Sequence, residues 1–251
     1  MPYRKDVERV NPYGSDACKE AQVEEMFDAI APAYDFMNTA MTFGLHRSWR
    51  NKAIRRALAL KGEKPDNLLD VATGTGDLVF YLHSLLPESK ITGIDLSAGM
   101  LEIARKKLDR LGEDTGILLA FGKADCLALP FADGEFDMVT VAYGVRNYSN
   151  LLAGLKEMRR VLKAGGVICI IELSVPDGKL TAPLYRFYAG KLIPLAGKAV
   201  SGDSRAYSYL PESIAACPQR EEMASLMREA GFKEVTWKSL TFGAVSYYLG
   251  K

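Results

Sequence analysis

The chain has 251 residues, 48% of them hydrophobic and 25% charged, a composition typical of a globular protein with one sizeable core. Lysine and arginine total 32 against 31 aspartates and glutamates, so the net charge of +1 gives no general attraction to nucleic acid or to an anionic membrane. A nucleic-acid substrate is therefore disfavoured.

The first residues carry charges with no apolar stretch behind them, a pattern typical of neither a secretory signal nor a membrane anchor. A cytoplasmic location is the default expectation. Cys18, Cys126, Cys169 and Cys217 are widely spread along the chain, which predicts free thiols rather than a zinc site or a dithiol redox centre.

Three regions follow one another along what we expect to be a single domain, 1–251. Residues 21–66 have a mostly helical pattern and are expected to form an N-terminal cap. Residues 67–175 alternate β-type and helical runs, which is typical of a parallel sheet covered on both faces. Its strands are predicted at 68–72, 91–95, 117–121, 136–142 and 167–173, and its helices at 78–86, 99–111 and 151–162.

Residues 176–251 are predicted to contain a helical insertion and two last strands. The segment 182–200 is apolar between its charges but too interrupted to span a membrane, so it is either a helix packed on the domain or a lid or membrane-surface contact. A helix is expected over 220–230, followed by strands over 232–237 and 241–249. Because the turn between these strands is very short, they must be antiparallel.

A glycine-rich turn follows the first predicted strand, with Gly74 and Gly76 after Thr73. Ligands of open α/β sheets bind at the carboxyl ends of strands, and glycines let a ligand approach the backbone closely. The alternative is a tight turn without a ligand. A dinucleotide fingerprint requires a third glycine where this chain has Val79, which argues against NAD or FAD.

Two aspartates follow the next two predicted strands. A carboxylate at Asp95 can accept hydrogen bonds from both hydroxyls of a ribose, and Asp125 can accept one from an adenine amino group. Each aspartate alone is more often a loop cap. Acidic or glycine-rich signals at the ends of three successive strands together favour a nucleoside site.

Over residues 65–175 this combination resembles the class I S-adenosylmethionine (SAM)-dependent methyltransferases. The resemblance implies an α/β, Rossmann-like fold with a seven-stranded, mostly parallel sheet, an antiparallel C-terminal strand and helices on both faces. It also implies SAM as cofactor, with Asp70 accepting from the ammonium group of its methionine end, Asp95 on the ribose and Asp125 on adenine. The cofactor-binding residues predicted in this way are Asp70, Thr73, Gly74, Gly76, Asp95, Leu96, Asp125, Cys126 and Ala142.

Three further segments resemble the ubiquinone/menaquinone C-methyltransferases. The first signature of that family is similar to residues 34–49, with Thr42 where the pattern usually has serine, and the second is similar to residues 160–174, with Ala164 where proline is common. Residues 144–147 are similar to the family's glycine-hydrophobic-arginine-asparagine segment. The resemblance extends from about residue 21 to the C-terminus.

The reaction that this resemblance implies is methylation of a ring carbon of a polyprenylated hydroquinone. Ring carbon is a weak nucleophile unless an adjacent hydroxyl is ionised, so the site needs a base or a cation that stabilises phenolate. Arg146 suits the stabilising role because it stays protonated. His46, or water ordered by Asn147 and Tyr34, can take the proton, and Asp35 is a further candidate.

Other interpretations stay open at this point. The chain can be another small-molecule methyltransferase, acting on a sterol, phospholipid or polyketide ring, or a non-catalytic protein that binds cofactor. His46 and Trp49 can form a packed pair, Arg146 can bridge loops, and Glu172 can hold the sheet edge. A naphthoquinol and a benzoquinol fit the sequence equally as substrate, and peripheral contact with a membrane is compatible with either.

Overall fold

The computed structural model describes residues 6–112, 118–179, 181–187 and 204–251. Strands within these ranges form one seven-stranded sheet, numbered here in chain order. They are β1 (Asn67–Val71), β2 (Lys90–Asp95), β3 (Leu119–Lys123), β4 (Phe136–Ala142), β5 (Leu162–Leu173), β6 (Thr236–Leu240) and β7 (Val245–Gly250). Their order across the sheet is β3-β2-β1-β4-β5-β7-β6.

The direction of strand order reverses at β1, which pairs in parallel with both β2 and β4. β3 and β5 continue the parallel sheet on either side, whereas β7 is antiparallel to both β5 and β6. The predicted mostly parallel sheet with an antiparallel C-terminal strand is thus confirmed. Loops that follow β1, β2 and β4 leave the same edge of the sheet, and the reversal opens a crevice between them.

Helices cover both faces of this sheet, as predicted. On one face, apolar helix side chains such as Leu155 and Met227 pack on the strands, and on the other face Ile54 and Leu82 do so. The helices are α1 (Asp6–Arg9), α2 (Lys19–Ile30), α3 (Tyr34–Thr42), α4 (Leu45–Lys61), α5 (Asp77–Leu85), α6 (Ala98–Asp109), α7 (Leu151–Val161), α8 (Thr181–Phe187), α9 (Ser204–Ala216) and α10 (Glu221–Glu229).

The last two strands begin later than the sequence pattern predicts. Gly231 and Glu234 adopt positive φ angles of 102° and 49°, so the chain turns there, and Phe232 packs in the core instead of starting a strand. β7 begins at Val245 because a 3₁₀ turn occupies Thr241–Gly243. The prediction that these two strands are antiparallel is confirmed.

The N-terminal cap consists of α2, α3 and α4 and begins at Lys19, slightly before the predicted residue 21. Met26 of α2, Met37 of α3 and Tyr209 of α9 form an apolar cluster of their own, so the cap also packs on the late helical segment. The predicted helix over 182–200 is observed through Phe187, and 188–200 lie outside the described residues. Among the helices described, none has the length and apolarity to cross a membrane.

Candidate active site

Two cavities meet at the carboxyl edge of the sheet. The first, which we call the inner cavity, is lined by the ends of β1 to β4 and covered by Glu20, Val23 and Phe27 of α2. We call outer cavity the larger one, of about 620 Å³, between the cap, α9 and the turn that joins β6 to β7. Both are lined by Phe27, Tyr34, Ala72, Gly74, Ala142 and Tyr143, which form their junction.

The predicted cofactor residues do not all lie in one place. Asp70 and Thr73 line the outer cavity rather than the inner one, and Gly76 lines neither. At Gly76, which has a positive φ of 79°, a Cβ would lie 2.9 Å from the rings of Phe80 and Phe121, so packing and backbone conformation require this glycine. The predicted residues that line the inner cavity are Gly74, Asp95, Leu96, Asp125, Cys126 and Ala142.

Asp95 is held in place by the loops on both sides of it. Its Oδ2 accepts from the backbone N–H of Gly74 at 2.8 Å, and its Oδ1 accepts from that of Ser97 at 2.9 Å. Burial raises the pKa of this carboxyl. Each carboxylate oxygen can accept a further hydrogen bond, so the geometry fits a diol donating to both oxygens.

Asp125 and Cys126 lie at the far end of the inner cavity. The Asp125 Oδ1 atom accepts from the backbone N–H of Leu127 at 2.8 Å, which fixes the turn after β3. Burial raises the pKa of the Cys126 thiol, so this sulfur stays protonated at neutral pH. The wall here is therefore neutral at Cys126 and offers a carboxylate acceptor at Asp125.

Asp70 lies under the junction and is 1% exposed. Its Oδ2 accepts from the Thr73 hydroxyl at 2.7 Å and its Oδ1 from the Thr140 hydroxyl at 2.5 Å. Burial raises its pKa to about 6, above the ordinary 3.8, because a buried carboxylate loses its hydration. A cation at the junction would favour ionisation of this carboxyl.

The backbone at the junction is strained. Ala72 and Tyr143, which follow β1 and β4, adopt the left-handed region with φ angles of 53° and 62°. A Cβ on Gly144 would lie 2.6 Å from the Cβ of Ala72, so the two strand ends touch. Residues held in such conformations concentrate at functional sites. The buried Tyr143 hydroxyl has no hydrogen-bond partner among the described residues, and burial raises its pKa, so it remains a donor.

Arg146 lies in the 3₁₀ turn Val145–Asn147 and is 6% exposed. Its Nη1 donates to Glu172 Oε1 at 2.9 Å and to the Tyr143 carbonyl, while Glu172 Oε2 accepts from the Arg146 backbone N–H at 3.3 Å. Within the described part of the chain its Nε has no partner. Arg146 thus links the turn after β4 to the end of β5 and also lines the outer cavity.

Asn147 points to the other cavity. It lines the inner cavity, and its Oδ1 accepts from the hydroxyl of Tyr209 at 3.1 Å. Neighbouring residues of one 3₁₀ turn therefore serve different cavities, with Tyr209 of α9 in contact with the wall between them.

His46 is buried against α3 and lines the outer cavity. The Thr42 hydroxyl donates to the Asn38 carbonyl at 2.6 Å, so at the 2.7 Å contact between Thr42 and His46 the imidazole Nδ1 must donate. Burial lowers the pKa of His46, with Arg50 adding to the effect. The ring is neutral at pH 7, and its Nε2 carries a lone pair that can accept a hydrogen bond or a proton.

Asp35 lines neither cavity. It accepts from the Thr75 hydroxyl at 2.6 Å and forms an ion pair with Lys107 of α6 at 2.6 Å. Lys107 also bridges to Asp77 at 2.8 Å, and Asp77 contacts Arg50 at 3.4 Å. We call this set of five residues the cap latch, since it ties α3 and α4 to the glycine-rich turn. Tyr34, adjacent to Asp35, is thereby held at the junction.

The cap contributes residues that the sequence pattern did not assign to a site. Val23 and Phe27 of α2 line the inner cavity beside Glu20 and Glu24. Their spacing predicts a buried helix face but does not say that this face covers a ligand cavity. Asp28, on the same helix, accepts from the Ser97 hydroxyl at 2.5 Å and the Gly99 N–H at 2.9 Å, which fixes α2 to the start of α6.

The sheet order and the cavity at the ends of β1, β2 and β3 define a class I SAM-dependent methyltransferase fold. A SAM-dependent methyltransferase of Thermotoga maritima, described as a possible histamine N-methyltransferase, superposes with a TM-score of 0.64 at 20% identity, covering 90% of this chain and 98% of that one. Phosphoethanolamine N-methyltransferase 2 of Haemonchus contortus, solved with SAM, gives 0.59 at 14% identity, covering 80% and 52%. At such identities the likeness shows the fold alone.

The chain belongs to the ubiE/COQ5 methyltransferase family, whose sequence pattern matches residues 15–251. A demethylmenaquinone methyltransferase of Bacteroides fragilis is 45% identical, covering 96% of both chains, and one of Porphyromonas gingivalis is 46% identical, covering 97% of this chain and 98% of its own. The ubiquinone/menaquinone biosynthesis C-methyltransferase UbiE of Geotalea uraniireducens is 41% identical, covering 93% and 97%.

Family and fold imply that the protein uses SAM, and the inner cavity fits that ligand. Asp95 can accept from a ribose diol, and Asp125 lies where an adenine amino group can donate. Asp70 offers a carboxylate to an ammonium group at the junction. Val79 stands where a dinucleotide site has a third glycine, as expected for a ligand without a pyrophosphate.

Lys107→Met tests whether the cap latch supports cofactor binding. The substitution leaves Asp35 and Asp77 without their shared cation, which loosens the cap over the inner cavity. Because these side chains are 25–41% exposed, we expect a modest loss, about 5- to 10-fold in SAM affinity, or about 1 kcal/mol. Calorimetric titration measures it. Lys106→Met, at the preceding position of α6, is the matched control. Equal losses of SAM affinity in both variants would contradict a role of the cap latch in cofactor binding.

The raised pKa of Asp70 gives SAM affinity a pH dependence. Below about pH 6 the carboxyl is protonated, so binding the ammonium group must first expel this proton. Affinity should therefore fall as pH decreases through that pKa, by up to about 10-fold between about pH 6 and about pH 5. Titration calorimetry across this range, with Asp70→Asn as control, measures the effect. A slope that persists in Asp70→Asn would assign the proton to another group.

Proposed function

We propose that this protein C-methylates the ring of a polyprenylated hydroquinone with SAM as methyl donor, converting a demethylmenaquinol to a menaquinol. The observation that carries the proposal is the outer cavity, a largely apolar chamber of about 620 Å³ that meets the inner cavity at the junction and is also lined by Arg146 and His46. Relatives that are 45–46% identical over nearly the full chain are named demethylmenaquinone methyltransferases, which supports a naphthoquinol as the ring.

Arg146 is proposed to stabilise the phenolate that activates the ring carbon. Its guanidinium Nη1 donates to Glu172 Oε1 and to the Tyr143 carbonyl, and Glu172 Oε2 accepts from the Arg146 backbone N–H, so the side chain is positioned before the substrate arrives. The Nε donor, which is unpartnered in the described chain, can bind a developing phenolate oxygen. A fixed cation in a largely apolar chamber stabilises negative charge more than water does, because the surroundings screen it less.

His46 is proposed as the acceptor of the hydroxyl proton. Its Nδ1 is committed to Thr42, and its lowered pKa keeps Nε2 unprotonated at neutral pH. Proton acceptance by a neutral imidazole is general-base catalysis. Asp35 is instead proposed as a positioning residue of the cap latch, and Asn147 as a residue of the cofactor cavity beside Tyr34.

SAM, when bound, supplies an electrophilic methyl group for in-line displacement, and its sulfonium leaves as a thioether. The methylated ring carbon then loses its own proton, which restores the aromatic hydroquinol. The chain's own contribution is to align the ring with that methyl group and to exclude water from the junction. Tyr143 and Tyr34 face the junction from both cavities. Apolar side chains that line the outer cavity would accommodate isoprenoid units of the tail, namely Met26, Ile30, Met37, Met41, Leu210 and Ile214.

A polyprenyl tail partitions into lipid, so the protein is proposed to act from the cytoplasm in peripheral contact with a membrane. The activity is tested by incubating the purified protein with SAM and a reduced demethylmenaquinol that carries a short prenyl tail. Mass spectrometry should detect a product heavier by one methyl group, with the new group on the ring carbon. Ring methylation only of a benzoquinol would correct the substrate, and methylation only of a sterol or phospholipid would overturn the proposal.

Arg146→Lys separates chemistry from cofactor binding. The variant keeps the positive charge but loses the planar fork that Glu172 and the Tyr143 carbonyl hold. We expect nearly normal SAM affinity and a loss of turnover of about 100-fold or more, the scale for removing one charge-stabilising donor. Calorimetry and a single-turnover assay with the reduced quinol measure the two effects. Lys163→Met, which removes an ion pair to Asp137 away from both cavities, is the control. If weaker SAM binding alone accounts for the loss of turnover, the proposed stabilisation of a phenolate by Arg146 is contradicted.

A further inference from the structure

Three of the large hydrophobic side chains that the described chain leaves exposed stand at the mouth of the outer cavity. Phe43 is 83% exposed, Phe242 81% and Leu45 43%, and all three line that cavity. They come from two distant parts of the sequence: Phe43 and Leu45 from the end of α3 and the start of α4, and Phe242 from the turn between β6 and β7. The Trp49 indole N–H donates to the Thr241 hydroxyl at 2.8 Å, which joins these two parts.

Neither phenylalanine is explained by the packing of the isolated chain. Phe43 and Phe242 both adopt left-handed backbone conformations, with φ angles of 51° and 56°. That region is unfavourable for a bulky side chain, and an exposed ring returns no burial energy to offset the cost. The same conformation at both sides of one cavity mouth holds two aromatic rings out into the surroundings.

The two segments that supply these side chains carry positive charge and no acidic residue of their own. Asp77, which also lines the outer cavity, is paired with Arg50 and Lys107. Residues 36–62 contain six lysines and arginines and no aspartate or glutamate, and 236–250 contain Lys238 as their one charged residue. Four of these cations lie on the exposed side of α4, and in the described ranges none of them forms an ion pair. They are Arg47, Lys52, Arg55 and Arg56.

The basic side of α4 continues onto the C-terminal hairpin. Arg56 is close enough to Tyr247 to affect the pKa of its hydroxyl, and Lys238 is the register partner of Tyr247 on the edge strand β6. We call the entrance surface the combination of the rim Phe43, Leu45 and Phe242 with the cations Arg47, Lys52, Arg55, Arg56 and Lys238. On a chain whose net charge is +1, this surface concentrates charge of one sign.

We propose that the entrance surface docks on an anionic lipid membrane, with the rim inserted at the level of the headgroups and the cations against the lipid phosphates. Apolar rings combined with lysine and arginine are the chemistry that interfacial membrane contacts use. A nucleic acid would satisfy the cations but would leave the rim of an apolar cavity in water. The docking orients the outer cavity toward the bilayer, where a tail can enter without crossing water.

This inference deepens the proposed function, and it is tested without any turnover. Co-sedimentation of the full chain is compared on vesicles of pure phosphatidylcholine and of phosphatidylcholine mixed with phosphatidylglycerol. We expect binding to the mixed vesicles that weakens with salt. Arg47→Gln/Lys52→Gln/Arg55→Gln should bind them at least 10-fold more weakly. Phe43→Asn/Phe242→Asn should bind about 10-fold more weakly; asparagine is chosen because it tolerates the left-handed backbone at both positions.

Lys90→Gln/Arg110→Gln/Lys156→Gln is the charge-matched control, since these three cations are exposed on other elements. It should sediment like the parent protein, and SAM affinity should be unchanged in all three variants. Absence of binding to the mixed vesicles, equal loss in the control, or displacement from vesicles by duplex DNA would each overturn the proposal. Methylation of a short-tailed quinol in solution together with failed vesicle binding would reject this docking while retaining the proposed function.

Discussion

The ammonium group of Lys107, near the end of α6, links the two halves of the site. Lys107 pairs with Asp35 from the cap and with Asp77 from the start of α5, and Thr75 between them donates to Asp35. The position of Tyr34 depends on this arrangement, and with it the junction where the inner and outer cavities meet. Because the shared charges are partly exposed, the contact is of moderate strength and compatible with a cap that opens for ligand exchange.

Two buried ionisable groups near the junction, Arg146 and Asp70, differ in how their charge is compensated. The Arg146–Glu172 ion pair is nearly inaccessible, and removal of either partner would leave a lone charge in the core. Asp70, by contrast, accepts only from hydroxyl groups among the described residues, and burial raises the pKa of its carboxyl. Arg146 is therefore rigid and permanently charged, whereas Asp70 would be favoured in its ionised form by a bound cation. This contrast separates a residue suited to stabilising an anion from one suited to recognising an ammonium group.

Local sequence patterns were sufficient for the core of the fold. Short apolar runs ending in glycine or aspartate identified β1, β2 and β4 and the residues that line the inner cavity, because strand ends at one sheet edge converge whatever the rest of the chain does. The predicted start of β6 was wrong because Phe232 packs in the core between turns at Gly231 and Glu234. Hydrophobicity alone does not distinguish such a residue from the start of a strand.

Contacts between distant segments could not be read in the same way. Lys107 lies beside Lys106 on one helix, yet only Lys107 reaches the cap, and no pattern within α6 separates them. Asp35 was expected near the chemistry because it belongs to a family signature, and the structure places it in the latch instead. Its neighbour Tyr34, from the same signature, does line both cavities.

The hydrogen bond between Trp49 and Thr241 also bears on the order in which the molecule can be completed during synthesis. It joins positions 192 residues apart, so the walls of the outer cavity come from near the two ends of the chain. The parallel strands β1 to β5, by contrast, are all present once residue 173 has been made. A growing chain on the ribosome can therefore assemble the cofactor half first, whereas the apolar chamber closes only after the last hairpin has emerged.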